Sequence, residues 1–322
     1  MLEPPTRKRR SRHSKEREDI DIRGNPRAIA TLRLFDSYRL LPFNWMHALV
    51  PNSGDYTGHR DQCTRMVTAD LLDRFCFDGT KTTNETMTYW RTAAGDRFLH
   101  ERGFEGLPHD GTHDAHQVLT DLADAQIELG VRGTDVQLFK WQDILRLPTI
   151  PAQPEHPFRF PIGTNPINRK TMYLVPDGRP FILKCGERSA LFLKELDRNN
   201  ENPQTIKNKF RNYLACIEEI KKRYGRKAVM VLFITTDPVR LQNLLRWAAE
   251  VCGGPSKLFL FGFIDDHVKR ARSTAPITTH LFHQPLLRAG HPPYLLKTLS
   301  DDSQTHPLEE AVRAYKAKAG TL

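Results

Sequence analysis

The feature that most constrains the fold is a series of apolar segments between residues 171 and 264. Five of them have the length of strands: 171–177, 179–185, 190–197, 228–236 and 257–264. Two longer stretches, 204–224 and 238–251, have the amphipathic period of helices and separate the last three strands. This order predicts a mixed α/β sheet, and hence an α+β fold once the helical segments upstream are included.

The region before this series predicts three helices followed by two short strands. Asn25 and Pro26 have the residue types typical of a helix cap and a first helical turn. A second, short helix follows Pro42, and a third is expected over residues 60–74. Two strands, 74–79 and 87–92, then enclose a polar turn. Three helices and a β-hairpin in this order predict a winged helix-turn-helix.

The third helix of a helix-turn-helix enters the major groove of DNA, where polar side chains reach the base edges. The polar side of this predicted helix therefore offers four candidate base contacts, Arg60, Gln62, Thr64 and Arg65. Lys81 and Arg91, in the predicted hairpin, are candidate phosphate contacts. The alternative is a winged helix that packs against protein instead of DNA.

Changes in composition and pattern divide the chain into four regions. These are a disordered basic tail (1–20), the winged helix (21–107), an α/β domain (108–300) and a C-terminal tail or helix (301–322). Within the α/β domain, residues 113–132 predict a helix, and the proline-rich residues 147–169 predict a surface loop. We interpret His113 and His116 as a helix cap and a surface residue, not as a metal pair.

The charge of the chain indicates a polyanionic partner. It has 48 Lys and Arg against 38 Asp and Glu, a formal charge of +10. Clustered basic residues release condensed counterions when they meet phosphates. Residues 199–230 hold eight basic residues and three Glu, so Lys207 and Arg211 are candidate phosphate contacts. We expect double-stranded DNA, with or without single-stranded regions; solubility alone, or an anionic membrane surface for the tail, is the alternative.

Several protein classes are disfavoured by what the sequence does not contain. No apolar run approaches the roughly 18 residues that cross a bilayer, and no secretory apolar segment follows the basic N-terminus. The five cysteines are widely spaced and include no C-x-x-C pair. These features predict a cytoplasmic protein without membrane insertion. Phosphate-loop, dinucleotide-binding and serine-hydrolase motifs are also missing from the sequence.

Three acidic residues lie at the ends of predicted strands. Glu195 and Asp197 share one strand face because side chains alternate, and Asp177 reaches the same end if segment 171–177 lies in the same sheet. Converging carboxylates select a hard cation, which makes Asp177, Glu195 and Asp197 candidate ligands of Mg²⁺ or Mn²⁺ in phosphodiester cleavage. The alternative is that they are solvated strand ends and, for Asp177, a turn residue.

The next predicted helix supplies two further catalytic candidates, Lys209 and Tyr213. They are four residues apart and therefore lie on one side of the helix, beside its buried stripe. From there both are expected to face the sheet and to act on a metal-bound water or a scissile phosphate. The alternative is that Lys209 extends to solvent while Tyr213 fills the core.

Three short motifs resemble the replication-relaxation family of plasmids and mobile elements, which overlaps with MobC-type relaxases. They are Pro176-Asp177, Glu195-Leu196-Asp197-Arg198, and Lys209 with Tyr213. The resemblance implies an N-terminal winged helix followed by a domain similar to the PD-(D/E)xK restriction endonucleases, with Asp177 and Glu195 as metal ligands. Asp197 stands where those nucleases carry a catalytic lysine, so Lys209 would have to substitute for it from the helix.

Three functions follow from this pattern and this resemblance. The first is a metal-dependent DNA endonuclease or nickase that acts in plasmid replication or transfer with Asp177, Glu195, Asp197, Lys209 and Tyr213. The second is a non-catalytic DNA-binding initiator or regulator built on an inactive nuclease fold. The third is a structural component of a replication or transfer complex.

Overall fold

The structure is a computed structural model that describes residues 25–75, 87–104, 115–146, 158–264 and 277–301. Within these ranges the chain forms nine helices and thirteen strands in three sheets, a mixed α and β architecture. The predicted basic tail, Lys81, His113 and residues 302–322 lie outside the described ranges. None of the helices described is long and apolar enough to cross a membrane.

The N-terminal unit consists of four helices and one small antiparallel sheet. Its elements are α1 (Pro26–Leu34), β1 (Leu41–Pro42), α2 (Phe43–Leu49), α3 (Tyr56–Thr68), β2 (Leu72–Phe75), β3 (Thr88–Arg91) and α4 (Ala93–His100). The strand order is β1-β3-β2, so β3 pairs with both neighbours. The predicted order of three helices and two paired strands is present.

Local capping explains where α1 and α3 begin. The Asn25 side chain accepts hydrogen bonds from the backbone N–H groups of Arg27 and Ala28, and Pro26 occupies the first turn, as predicted. Helix α3 begins at Tyr56, earlier than the predicted residue 60, because Asp55 accepts a hydrogen bond from the Gly58 N–H at 2.6 Å. It ends at Thr68 and not at residue 74.

The rest of the described chain is built around an eight-stranded sheet. Its elements are α5 (Ala115–Val131), β4 (Val136–Phe139), α6 (Trp141–Leu145), β5 (Phe160–Thr164), β6 (Thr171–Leu174), β7 (Gly178–Cys185), β8 (Arg188–Asp197), α7 (Pro203–Tyr224), β9 (Val229–Thr235), α8 (Pro238–Cys252), β10 (Phe259–Phe263), α9 (His280–His283), β11 (Leu286–Arg288), β12 (His291–Leu295) and β13 (Ser300–Asp301). The sheet order is β13-β12-β11-β10-β9-β8-β7-β4, in which β8, β9 and β10 are parallel and the other pairs antiparallel.

Helices cover both faces of this sheet, and the alternation along β8 separates the two layers. Leu191 and Leu193 pack in one core with residues of α7 and α8. Phe192 and Leu196 point to the opposite face and share a second core with α5. The predicted face parity of this strand is therefore present, with Glu195 on the side of α7 and α8.

Two predictions about residues 147–177 need correction. Residues 160–164 were expected to be part of a surface loop, but they form strand β5, which pairs with β6 in a separate two-stranded sheet. Segment 171–177 was expected to join the main sheet, whereas β6 pairs only with β5 in the described structure. Phe160 and Leu174 are buried against α7, and this burial holds the hairpin's base in place.

Candidate active site

Strand pairing brings Asp177 beside Glu195. Gly178 opens β7 and pairs with Lys194 of β8, so the residue before Gly178 lies opposite the residue after Lys194. An irregularity in the register follows, between Gly178 and Phe181. The Asp177 carboxylate accepts a hydrogen bond from the Leu196 backbone N–H at 3.1 Å, which fixes its position at the edge of β8.

Helix α7 places a lysine and a tyrosine over these two carboxyl groups. Lys209 Nζ lies 2.9 Å from Glu195 Oε2 and 3.3 Å from Asp177 Oδ2. One turn further, the Tyr213 hydroxyl donates to Glu195 Oε1 at 2.5 Å. Glu195 is only 2% exposed, so both of its oxygens are occupied inside the protein. The structure therefore brings four of the five predicted catalytic residues together.

The protonation of the cluster follows from its burial and its charges. Burial and the neighbouring Asp177 carboxylate raise the pKa of Glu195 well above its usual value, despite the opposing Lys209. Burial works against ionisation of Asp177 too, but the neighbouring His116 and Glu195 side chains and the Lys209 charge lower the pKa of Asp177. At neutral pH, Glu195 is therefore the protonated member of the pair and Asp177 the ionised one.

Lys209 and Tyr213 keep their protons in this environment. Although burial opposes it, the Glu195 and Asp177 carboxyl groups raise the pKa of Lys209, so it is an ammonium ion at neutral pH. Burial and Glu195 raise the pKa of Tyr213 well above its usual value. Tyr213 is fully buried as a neutral phenol. It is suited to positioning Glu195 and poorly suited to attacking a phosphate itself.

Two members of the cluster were not predicted as site residues. His116 Nε2 lies 3.7 Å from Asp177 Oδ1, and Glu201 Oε1 lies 3.1 Å from Lys209 Nζ. His116 was visible in the sequence, but its spacing from His113 gave no indication of Asp177. Glu201 stands in the polar segment just before α7, where an acid is equally typical of a solvated helix start. Only tertiary packing identifies them.

Asp197 does not join this cluster, which corrects the prediction of three converging carboxylates. It is buried and paired with the guanidinium of Arg240 at 2.6 Å, while its other oxygen accepts from the Asn199 backbone N–H at 2.9 Å. It shares a strand face with Glu195, yet its partners belong to α8 and the loop after β8. Within the described ranges, no group of three or more His, Cys, Asp or Glu is arranged to hold a metal.

Two predicted DNA contacts are buried and serve the fold of the N-terminal unit instead. Arg91 is 1% exposed and forms ion pairs with Asp36 at 2.5 Å and Asp96 at 2.6 Å. The Gln62 side chain is buried and accepts a hydrogen bond from Arg27 Nε at 2.6 Å. Both were predicted from spacing alone, and spacing did not distinguish the outer face of α3 or β3 from the inner one.

The other predicted DNA contacts within the described ranges lie at the surface. Arg65 is exposed on α3, with Arg60 and Thr64 half-buried beside it. On α7, Arg211 is exposed and donates to Asn208 at 2.8 Å, and Lys207 pairs with Glu250 at 2.6 Å. These side chains are accessible to a partner from solvent.

No family model, curated protein or solved structure matches the chain. Its function is therefore inferred from the contacts among its own residues.

Proposed function

We propose that the protein binds DNA and nicks or cuts it in a reaction that depends on Mg²⁺ or Mn²⁺, in the replication or transfer of a plasmid or mobile element. In this proposal the N-terminal unit is a winged helix that recognises DNA. The eight-stranded sheet and its helices form a domain of the PD-(D/E)xK kind. The observation that carries the proposal is the position of Lys209, whose ammonium contacts both Asp177 and Glu195.

Lys209 supports catalysis because it supplies the lysine that strand β8 lacks at position 197. A nuclease of this kind needs two acidic groups and a lysine that positions the attacking water. Here Asp197 replaces that lysine and is neutralised by Arg240. Lys209 reaches the same two acids from α7, one turn before Tyr213, which holds the other oxygen of Glu195.

The donor set fits a magnesium ion. Mg²⁺ commonly binds through one or two carboxylates and completes its shell with water and substrate phosphates, so a third protein ligand is not required. Asp177 and Glu195 supply two oxygen-bearing groups, both in contact with Lys209 Nζ. When bound, the metal supplies a Lewis acid for the phosphate and an activated water.

The chain's own residues have separate roles in this proposal. Asp177 and Glu195 would hold the ion, and Glu195 would release its proton to solvent when the charge of the ion takes the proton's place. Lys209 orients the water and offsets negative charge on the phosphate in the transition state. Tyr213 fixes the Glu195 carboxyl group, and His116 does the same for Asp177. The Leu196 N–H holds Asp177 against β8.

Surface charge supports DNA as the substrate. The net charge of +10 favours a polyanion, and two candidate DNA-facing helices each carry basic residues at the surface, Arg60 and Arg65 on α3 and Lys207 and Arg211 on α7. If these side chains contact phosphates, affinity for duplex DNA falls steeply as salt rises.

The test is a nicking assay with the full chain and supercoiled plasmid. Wild type is expected to produce open circles with Mg²⁺ or Mn²⁺ and none with EDTA. Asp177→Ala and Glu195→Ala are expected to lower the rate by at least about 100-fold. Glu218→Ala removes an exposed acid of α7 that does not contact the cluster and is the matched control. Equal nicking by all variants, or none by wild type, contradicts the nuclease proposal.

A second candidate function is DNA binding without cleavage, as an initiator or regulator. The favouring observation is that Lys209 already contacts three carboxyl groups, those of Asp177, Glu195 and Glu201, so its ammonium is fully engaged inside the protein. This alternative expects wild type to bind duplex DNA equally well with and without Mg²⁺, with no nicking. It also expects Glu195→Ala to retain DNA affinity.

A further inference from the structure

The hairpin of β5 and β6, with its connection at residues 165–170, forms an arm separate from the eight-stranded sheet. Its connection is well ordered by local hydrogen bonds. The Asn165 side chain accepts from the Ile167 N–H at 2.9 Å, and the Asn165 N–H donates to the Lys170 carbonyl at 2.8 Å. The Asn168 side chain accepts from the Lys170 N–H at 3.0 Å. The arm therefore has a defined tip.

Only the base of the arm is buried. Phe160 and Leu174 pair across the two strands and pack against α7, whereas residues 166–173 are all exposed. Ile167, at the tip, is 92% exposed, and Met172 and Tyr173 are exposed along β6. A two-stranded ribbon without a covering layer is marginal on its own, and apolar side chains displayed on it indicate a binding partner.

The charge of the arm selects the chemistry of that partner. Residues 158–176 contain Arg159, Arg169 and Lys170 and no acidic residue. Arg159 lies over the Tyr173 ring at 4.1 Å and is held to the arm by it. Arg169 and Lys170 stand at the tip, and their side chains form no ion pair or hydrogen bond with other parts of the described structure. Two free cations beside exposed apolar groups suit phosphates and bases.

The backbone at Arg169 supports a role for its side chain. Its φ is +59°, in the left-handed region where glycine and asparagine are favoured and a long side chain is uncommon. A glycine at this position would meet the turn's needs with less strain. An arginine here carries a conformational cost in the folded chain that its own contacts within the arm do not offset.

We infer that the arm is a second DNA-binding element, which grips duplex DNA through Arg169 and Lys170 on phosphates and presents Pro166 and Ile167 to the minor groove. The inference rests on the proposed DNA binding and identifies the arm as one of the surfaces that contact the DNA. Proteins that bend DNA place apolar side chains such as Pro or Ile between base steps and flank them with cations. The arm carries both, in that order along its tip.

The arm is also close in sequence to the candidate active site. Strand β6 ends at Leu174, and Val175 and Pro176 connect it to Asp177. Thr171 is six positions before Asp177, which is at most about 20 Å of fully extended chain. Duplex DNA held by the arm would therefore lie near the cluster.

The test measures DNA binding by the full chain in EDTA, so that it is independent of nicking. Arg169→Gly/Lys170→Ala removes both cations, and Lys184→Ala/Lys297→Ala removes the same charge at exposed positions outside the arm. We expect the arm variant to bind a labelled duplex about tenfold more weakly or worse, with a salt slope lower by about two. The control variant is expected to lose less affinity than the arm variant, and its salt slope should be closer to that of wild type.

Two further readouts separate contact from folding. Arg169→Gly alone is expected to keep or raise the thermal midpoint while still weakening DNA binding. Ile167→Ser is expected to reduce the bend in a duplex labelled at both ends, with affinity changed by only a few-fold. If the arm variant and the control variant bind DNA equally, the inference is overturned, whether or not the protein nicks plasmid. Wild-type nicking that fails while arm-dependent binding persists contradicts only the nuclease proposal.

Discussion

At the scale of single residues, the charge balance of the cluster depends on one ammonium that contacts three carboxyl groups. Lys209 contacts Asp177, Glu195 and Glu201, and one positive charge does not balance three negative charges in a partly buried site. The proton on Glu195 removes part of the imbalance. The roles of Asp177 and Glu195 therefore differ, although the two side chains are chemically alike.

This difference predicts unequal effects of two conservative substitutions. Glu195→Gln imitates a carboxyl group that is already protonated, so the free energy of unfolding should change by no more than about 1 kcal/mol. Asp177→Asn removes the ionised partner of Lys209 and should cost about 1–3 kcal/mol. Urea unfolding at neutral pH measures both. Greater destabilisation by Glu195→Gln than by Asp177→Asn would contradict the assigned protonation.

Asp197 allows a second test at this scale. Asp197→Ala leaves the buried Arg240 guanidinium without its counter-ion and should cost about 3 kcal/mol or more. Asp197→Ala/Arg240→Met removes both charges and should be more stable than the single variant. If Asp197 serves the fold alone, the double variant retains metal-dependent nicking. Loss of nicking in a folded double variant would instead show that Asp197 takes part in catalysis.

At the scale of elements, α1, α2 and α3 are joined by a buried histidine. His59 Nε2 lies 2.9 Å from the Thr31 hydroxyl, and His59 Nδ1 lies 3.1 Å from His47 Nδ1. Burial, and then the nearby His47 and Arg27, lower the pKa of His59 from 6.5 to about 4. Burial also lowers the pKa of His47, which faces Asp55 and Arg27. At neutral pH both rings are therefore neutral in the folded unit.

The depressed pKa of His59 gives the stability of this unit a definite pH dependence. The unfolded histidine takes up a proton below about pH 6.5, whereas the folded one resists until about pH 4. Stability is therefore complete above pH 6.5 and should fall by about 2 kcal/mol by pH 5. His59→Gln keeps a polar group facing Thr31 but does not titrate. Urea unfolding of this variant should show a smaller loss over the same range, and an unchanged loss would contradict the assignment.

Most elements of the sheet domain were predictable because their signals are local. The apolar period of α7, with Asn202 as its cap and Gly225 after its end, lies in adjacent residues. Strand β5 was not predictable in the same way. Pro161 and Pro166 disrupt the pattern of a strand, and the burial that stabilises β5 comes from α7, which follows about forty residues later in the sequence.

The site was predictable in part for the same reason. Alternation along β8 placed Glu195 on the face of α7, and the spacing of Lys209 and Tyr213 placed both over it. Alternation gave Asp197 the same face and so did not separate it from Glu195. The residue that separates them is Arg240, a partner on α8 that no local pattern connects to β8.

At the scale of the whole molecule, the N-terminal unit and the sheet domain share one core. Buried residues of α1 to α4 belong to the same apolar cluster as residues of α5 and one face of the main sheet. Polar contacts reinforce the junction. Asp121 of α5 accepts from the backbone N–H groups of Arg39 and Leu40 at 2.7 and 2.8 Å, and Arg132 donates to the carbonyls of Ala48 and Leu49.

A shared core predicts that the described structure unfolds as one cooperative unit. Trp45 lies in α2, in the core shared with α5, and Trp247 lies in α8, in the core on the other face of the main sheet. Two variants, each keeping one of these tryptophans and replacing the other three with phenylalanine, report the two regions separately. For each variant, the urea midpoint from tryptophan fluorescence should coincide with the midpoint from circular dichroism. An earlier fluorescence transition at Trp45 would show that the N-terminal unit unfolds independently.

The supply of the cluster's lysine from a helix has a consequence for how sequences related to this one can vary. Substitutions at residues 197 and 240 should be coupled, since the loss of either charge leaves the other buried and unpaired. Substitutions at residues 177, 195 and 209 should be coupled as well, because the Lys209 ammonium contacts both carboxyl groups. We expect diverging relatives to show two separate groups of coupled positions. The pair 197/240 should change together under selection for stability alone. Residues 177, 195 and 209 should be retained only where the cluster keeps its role.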